Sequence, residues 1–563
     1  MKLLIYSFIA FCIMSKATMS IAQPFHVYFI DSVGNDNNNG TIEEPWISFE
    51  HAQEVSKPGD TIYVRGRNYL MNAPIIITDT GSYDLPVVYS GYNDELPIFD
   101  FTNSTQPDLE YTIGIAPWGQ DAGIINLYKS NQVVFQKVRV INSPSAGIQG
   151  YKSKNIQIRN CSTYNTYSSG ASAWDCDSII IDGNNIELAC HKGAQECISI
   201  SRTNYFQVSH NEIHHTTPEG DVAGGEGLDC KESSHYGKVF NNHLHHLERI
   251  AMYIDSWNQH LSQIELYGNI IHDAMFGFGI STEQPLGQVD SVDFHHNLIY
   301  NCPRTGIILS QWGTADENRN DITIRNNTID SCGWERVMET GFPHGGMVIE
   351  SKKVHRLRVI NNIFSNNCSF QIAYRNDPNP EAIFEYNMIQ GYNSNPLHNH
   401  LGDDIANNQG IVAQNYELNI IGSAEYVDKN VINYNLKESS LAINAGSPDP
   451  MYNDANGTRN DLGAFPSEYL APNGIQAIHS KESFVFPNPA DNTIHLNLNQ
   501  FTELDNVSVE LFSVKGENIY RTYSSGAKVL EISKNQFSQN LNGTVFIRVS
   551  NGQKSFTEKL MLK

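Results

Sequence analysis

An asparagine returns through the middle of this chain at intervals of 24 to 35 residues, each time between two short β-rich stretches. The positions are Asn160, Asn184, Asn211, Asn242, Asn269, Asn297, Asn327, Asn362 and Asn387. Typical units read IELYGNIIHDAMFGFGI (Ile264 to Ile280) and VDFHHNLIYNCPRTGIIL (Val292 to Leu309). Apolar and polar residues alternate with a period of two, and many are β-branched, which predicts strands and disfavours helical repeats. Leucines at fixed offsets, as in a leucine-rich solenoid, are absent. Such a repeat predicts an all-β solenoid of stacked parallel coils, because no single coil buries its own apolar face. Asparagine suits the recurring turn for two reasons. It tolerates a left-handed backbone, and stacked amides hydrogen-bond from coil to coil.

The 563 residues predict two or three domains. With 40% hydrophobic and 17% charged residues, the chain is not disordered. A net charge of −24 argues against a nucleic-acid partner, which needs a basic face. It leaves room for an acidic polymer held at one local basic site. Lys2, the apolar run Leu3 to Met14 and the small residues Ser20-Ile21-Ala22 predict a secretory signal peptide over 1–22, cut near Ala22/Gln23. No later run of 18 apolar residues predicts a transmembrane segment in the mature chain. Eight cysteines remain after Cys12 leaves, with no CxxC pair, so neither a zinc ribbon nor a disulfide framework is indicated. Cys302 and Cys332 fall at one offset on neighbouring coils, compatible with a disulfide or with two stacked thiols.

The repeat, over roughly residues 25 to 470, resembles the right-handed parallel β-helix of the pectate-lyase-like group. The segment Tyr28 to Tyr69 resembles the amino-terminal cap of bacterial β-helix proteins. Within it, the amphipathic stretch Phe49 to Val55 would plug the open end, and Pro58-Gly59-Asp60-Thr61 would turn into the first strand. Ala442 to Phe465 resembles their closing segment. Residues 23–120 thus form the cap and first coils, 121–470 the remaining β-helix and its closure, and 471–482 a linker. The tail 483–563 reads as a small β-sandwich. Its Phe486-Pro487-Asn488-Pro489-Ala490 and terminal Lys559-Leu560-Met561-Leu562-Lys563 resemble the sorting domain of type IX secretion substrates. That resemblance implies the type IX machinery as a partner and a secreted or surface-attached destination.

Equivalent positions on adjacent coils lie ~4.8 Å apart. Aligning the inward pairs Ile198/Ile200, Leu228/Cys230, Met252/Ile254, Phe278/Ile280 and Ile307/Leu309 puts Tyr128, Tyr151, Trp174, Ser201, Lys231, Asp255, Ser281, Ser310 and Glu350 in one outward column. The preceding outward column reads Ser199, Asp229, Tyr253, Gly279 and Ile308. The aromatic strip Tyr128, Tyr151 and Trp174 suits the faces of sugar rings, with Arg249, Tyr253 and Trp312 as further substrate-binding candidates. Asp229, Lys231, Asp255, Glu226 and Glu283 beside it are the catalytic candidates, since a basic residue among carboxylates is what cleavage of a polysaccharide requires. A cross-strand ion pair on an ordinary wet face is the competing reading.

Glu226-Gly227-Leu228-Asp229-Cys230-Lys231 resembles the Asp-Gly-x-x-x-Lys stretch of family nine polysaccharide lyases. The resemblance implies a divalent cation such as calcium that neutralises a uronate carboxylate. Where that family carries an Asp-Asp-Gly-Trp-Asp cluster, this chain has Arg249-Ile250-Ala251-Met252-Tyr253, which leaves Arg249 as a neutraliser by position. Three readings follow. A glycoside hydrolase would use two of Glu226, Asp229, Asp255 and Glu283. A lyase would use Lys231 or Tyr253 as general base. A glycan-binding β-helix would use the aromatic strip alone. His214, His245 and His272 share one offset in three coils, with His215, His246 and Asp273 following. They are candidate ligands for a divalent metal, or a ladder that only packs at a turn.

Overall fold

The structure, a computed structural model, describes residues 25–105, 119–217, 224–335, 344–375, 381–390, 418–455, 457–467, 485–486, 493–498, 507–513, 518–524, 528–537, 543–551 and 555–562. The expected signal peptide 1–22, the expected linker 471–482, Pro487 to Ala490 and Lys563 lie outside them.

Each coil adds one strand to a 14-stranded sheet and further strands to a 22-stranded sheet, all paired in parallel. A representative coil runs Asn204–Ser209, Glu212–His214, Leu228–Lys231. The inward pairs stack in the register that the sequence predicts: Ile198 on Leu228, Leu228 on Met252, Met252 on Phe278, Phe278 on Ile307. All are fully buried in one continuous core.

The asparagines hold the coils in register. Asn211, for example, donates its backbone N–H to Asn242 Oδ1 at 3.0 Å and its Nδ2 to the same oxygen at 2.9 Å. Its Nδ2 also donates back to the Ile181 carbonyl at 3.0 Å. The pattern repeats through Asn184, Asn242, Asn269, Asn297, Asn327, Asn362 and Asn387 to Asn419. The structure corrects two details. Cys161, not Asn160, holds the first rung, its N–H bonded to Asn184 Oδ1 at 2.9 Å. The left-handed residue at each turn is the one before the ladder residue, as in Asn160, Gly183, His210 and Asn241. The asparagines are there for their amides alone.

The helix Phe49–Val55 forms where expected, its N-terminus capped by Ser48 Oγ, which accepts from the His51 N–H at 3.1 Å. Phe49 packs 5.8 Å from both Tyr89 and Phe99, ring centre to ring centre, closing the first coil. The Pro58–Thr61 turn feeds the second strand rather than the first, because Val27–Ile30 already pairs in parallel with Thr61–Val64. In the closing segment, Ala442 and Leu462 pack with Leu298, Ile363 and Met388, so this segment lies along several coils. Cys302 and Cys332 are buried free thiols. The tail has its own core, including Val509, Leu511, Ile547 and Leu560, between two antiparallel sheets. Among the described residues no helix is long and apolar enough to cross a membrane.

Asn269→Leu should lower the unfolding free energy by roughly 3–5 kcal/mol, because it strips buried donors and acceptors on Asn242, Asn297 and Val239 of their partners. Urea unfolding followed by circular dichroism measures this; a loss below about 1 kcal/mol would show that the ladder is not a stabilising element.

Candidate active site

In two consecutive coils the chain passes from one strand into the next without leaving the sheet, giving the long strands His243–Asp255 and Ile270–Ser281. A register shift between Leu247 and Ile250 takes up the corner. The neighbouring coils break at this point, between His214 and Leu228 on one side and between Tyr300 and Ile307 on the other. The two flat coils therefore floor a cleft of about 480 Å³. Arg249, Ile250, Tyr253 and Phe276 form the floor, Glu226, Arg304 and His344 rise from flanking excursions, and Glu283, Trp312 and Arg375 close the far side.

The predicted column exists. Tyr128, Tyr151, Trp174, Ser201, Lys231, Asp255 and Ser281 stack rung on rung, with Asp229 beside Tyr253 in the next column. It is not the open ridge that the alternation suggests, because a preceding excursion folds over it. Lys231 Nζ donates to Gln195 Oε1 at 2.9 Å and Glu196 Oε1 at 2.8 Å. Asp229 is 1% exposed and Asp255 8%. The aromatic strip is enclosed too. Tyr151 and Trp174 join Ala122 in a small buried cluster, and Tyr128 stacks on Tyr151 at 6.0 Å. The Trp174 ring faces the cations of Lys231 and Arg202, each 5.8 Å from its centre, and its Nε1 donates to Ser199 Oγ at 3.2 Å. Of the three, only Trp174 faces Lys231, and Tyr128 stays half-buried.

The electrostatics sort the candidates. Burial alone would push Lys231 down, but Glu196, Asp229 and Asp255 outweigh it and hold the ammonium protonated above its ordinary value. That direction disfavours Lys231 as a base at neutral pH. Burial, then the charges of Asp255 and Glu283, raises Tyr253 well above its ordinary value, and its hydroxyl donates to Glu283 Oε1 at 2.5 Å. Both features favour Tyr253 as a hydrogen-bond donor to Glu283. Burial raises Asp229, with Glu196 and Asp255 adding, and it raises Asp255, with Glu283 adding. Glu226 is pushed up to about 7 by burial, against the pull of Arg249, whose Nη2 lies 3.0 Å from Glu226 Oε1. Among the described residues, Glu196, Glu226, Asp229 and Asp255 each keep one buried oxygen without a partner. Such orphaned acceptors are costly unless a proton or a ligand meets them.

The metal candidates come out differently. His214, His245 and His272 stack flat, ring centres 5.1 Å apart at interplanar angles of 7° and 4°. Their lone pairs lie in parallel planes and do not converge on one ion. Burial and neighbouring imidazoles push His245 down to about 4, so it is neutral. The calcium cluster of the resemblance does not fit either. Ile250, Ala251 and Met252 are buried and apolar, and Arg249 is paired with Glu226. Among the described residues, no group of three ligand atoms within 4.8 Å includes Asp229 or Asp255.

Glu196, Arg304, His344 and Arg375 escaped the sequence reading. Glu196 was within reach of it: it precedes Ile198 by the offset at which Glu226 precedes Leu228, and those two strands pair. Arg304 and His344 sit in excursions that follow no period.

Three family descriptions match the chain. "Pel9A-like, right handed beta helix region" matches residues 28–246, and "Right handed beta helix region" matches 192–320 and 290–389. "Secretion system C-terminal sorting domain" matches 484–563. Pectate lyase PEL9 of Emericella nidulans is 29% identical over 144 residues, 25% of this chain and 34% of that protein, so the match spans about a third of the relative. The crystal structure of pectate lyase Pel9A superposes with a TM-score of 0.47 at 13% identity, covering 78% of this chain and 96% of that one. The complex of XylC with xylose gives 0.46 at 10% identity over 71% and 87%.

Lys231→Met should cost roughly 3–5 kcal/mol of stability at pH 8, since it leaves Glu196, Asp229 and Asp255 without their cation. Carboxyls whose pKa is raised in the folded state stabilise it when protonated and lose that contribution as pH rises through the raised value. The deficit should therefore shrink toward pH 5, read as melting temperature against pH; a deficit independent of pH would refute the pairing.

Proposed function

We infer that this pectate-lyase-like right-handed β-helix, carrying a type IX secretion sorting domain, is an exported polysaccharide-degrading enzyme that works as a glycoside hydrolase. The reading rests on the buried Glu226 carboxyl on the cleft wall, whose pKa burial pushes up to about 7 against the pull of Arg249 at 3.0 Å. A carboxylic acid poised near the working pH is what protonation of a glycosidic oxygen needs. Glu283, across the floor, supplies the second carboxylate as base or nucleophile. Tyr253 donates to it and fixes its orientation. Asp229, Lys231 and Asp255 form the charged support beneath, with Lys231 as a fixed cation.

A second reading, a lyase acting on a uronate polymer, draws on two observations. Three arginines, Arg249, Arg304 and Arg375, line the cleft, and the amino-terminal coils match the Pel9A-like description. In that reading Arg249 neutralises the uronate carboxylate, and a carboxylate replaces Lys231 as the base. Glycan binding without cleavage is the remaining outcome of the same test.

Incubation with neutral and uronate polysaccharides separates the three. New reducing ends without an ultraviolet-absorbing unsaturated product support hydrolysis, and the unsaturated product overturns it in favour of elimination. Retardation in a polysaccharide gel with no product leaves binding alone. For the hydrolase, kcat/KM should hold below about pH 7 and fall above it as Glu226 deprotonates. Glu226→Gln should lower kcat by about 10²–10⁴-fold. Wild-type turnover in that variant would remove Glu226 from the chemistry.

A further inference from the structure

The 14-stranded sheet carries a second concavity, of about 570 Å³, that shares no lining residue with the cleft. Gln132, Asn155, Ser178, Tyr205 and Tyr236 follow one another rung on rung along it. Gln157, Ile180 and Gln207 stand beside them, two residues further along the same strands. Every residue of the first row has a left-handed backbone, with φ between 51° and 60°. Small or amide side chains bear that conformation at lower cost than a bulky ring does. Two coils nevertheless place tyrosine there, and the rings stand in solvent, 56% and 47% exposed. Core packing does not account for such a choice, and a strained position that displays its side chain points to function. The two rings lie parallel, centres 4.8 Å apart at 6°, so each spends one face on the other. The second face of Tyr205 looks toward the preceding coil, where Ser178 is too short to cover it.

We propose that this groove is a carbohydrate-binding site, separate from the cleft, that seats an uncharged pyranose ring of a polysaccharide on the free face of Tyr205, over Ser178. The apolar face of an aromatic ring suits the C–H face of a sugar. Asn155, Gln157 and Gln207 edge the seat with amides, which donate to one hydroxyl and accept from another. An apolar protein surface laid on the same groove would leave those amides unpaired. Asp84 and Lys238, at the two ends, are the charges among the described residues that line the groove, and Lys238 is held by Glu265 at 2.9 Å. In a chain of net charge −24, such an uncharged stretch matches a neutral glycan and not a uronate polymer. The choice of a glycan as occupant rests on the polysaccharide-degrading reading, but the site needs nothing from the chemistry of Glu226. It anchors one part of a polymer while the cleft works on another.

The test uses the full chain in affinity electrophoresis through gels containing galactomannan or hydroxyethyl cellulose, with polygalacturonate as the acidic comparison. At least one of the two neutral polymers should retard the wild-type chain. Tyr205→Ala should weaken that retardation about 3–10-fold. Tyr205→Phe, which keeps the ring, should retain it. Both variants should keep the wild-type melting temperature, because the ring is exposed. Retardation by polygalacturonate alone, by no polymer, or undiminished in a Tyr205→Ala/Tyr236→Ala double variant would overturn the proposal. So would a dimer in sedimentation that the double variant dissociates, since a second copy of the chain would then cover this face. Product formation reports separately on the cleft: retardation that depends on Tyr205 without any product keeps the groove and removes the hydrolase.

Discussion

The buried asparagine column is the constraint from which the rest of the molecule follows. A solenoid of this kind must turn its backbone at a corner inside the protein, where unpaired amides are costly. Each ladder asparagine answers with its whole amide: Oδ1 accepts from the preceding coil's backbone and side chain, and Nδ2 donates both backward and forward. No offset by one residue preserves those bonds. The register of every strand downstream of the corner is therefore fixed, and with it the columns of outward side chains.

A fixed register leaves the excursions as the one place where coils can differ. Two coils make none, their neighbours do, and the difference in height is the cleft. The excursions also set the chemistry, because they bring Glu196 onto Lys231 and Glu226 onto Arg249. Burial under this covering raises the pKa of the carboxyls it crowds, Glu226 and Asp229 among them.

What the sequence disclosed divides along the same line. The fold, the helix Phe49–Val55, the inward pairs and the column through Lys231 and Asp255 were legible, because alternation and a recurring turn determine them. Burial of that column was not, because Glu196 arrives from an aperiodic segment. The displaced first rung has a local cause: a spacing alone cannot tell Asn160 from Cys161, since asparagine suits both the left-handed residue of the turn and the ladder residue that follows it. The histidines show the limit most sharply. Equal offsets put His214, His245 and His272 in one column, yet a column makes stacked rings whose nitrogens do not converge.

The ladder also has a direction. Every rung presents a forward-pointing amide that only the next coil's oxygen can receive, from Asn184 to Asn387. A nascent chain emerging from its amino terminus would thus find each completed coil already waiting for its successor. Order would advance vectorially, one turn at a time, until the closing segment packs back along the later coils.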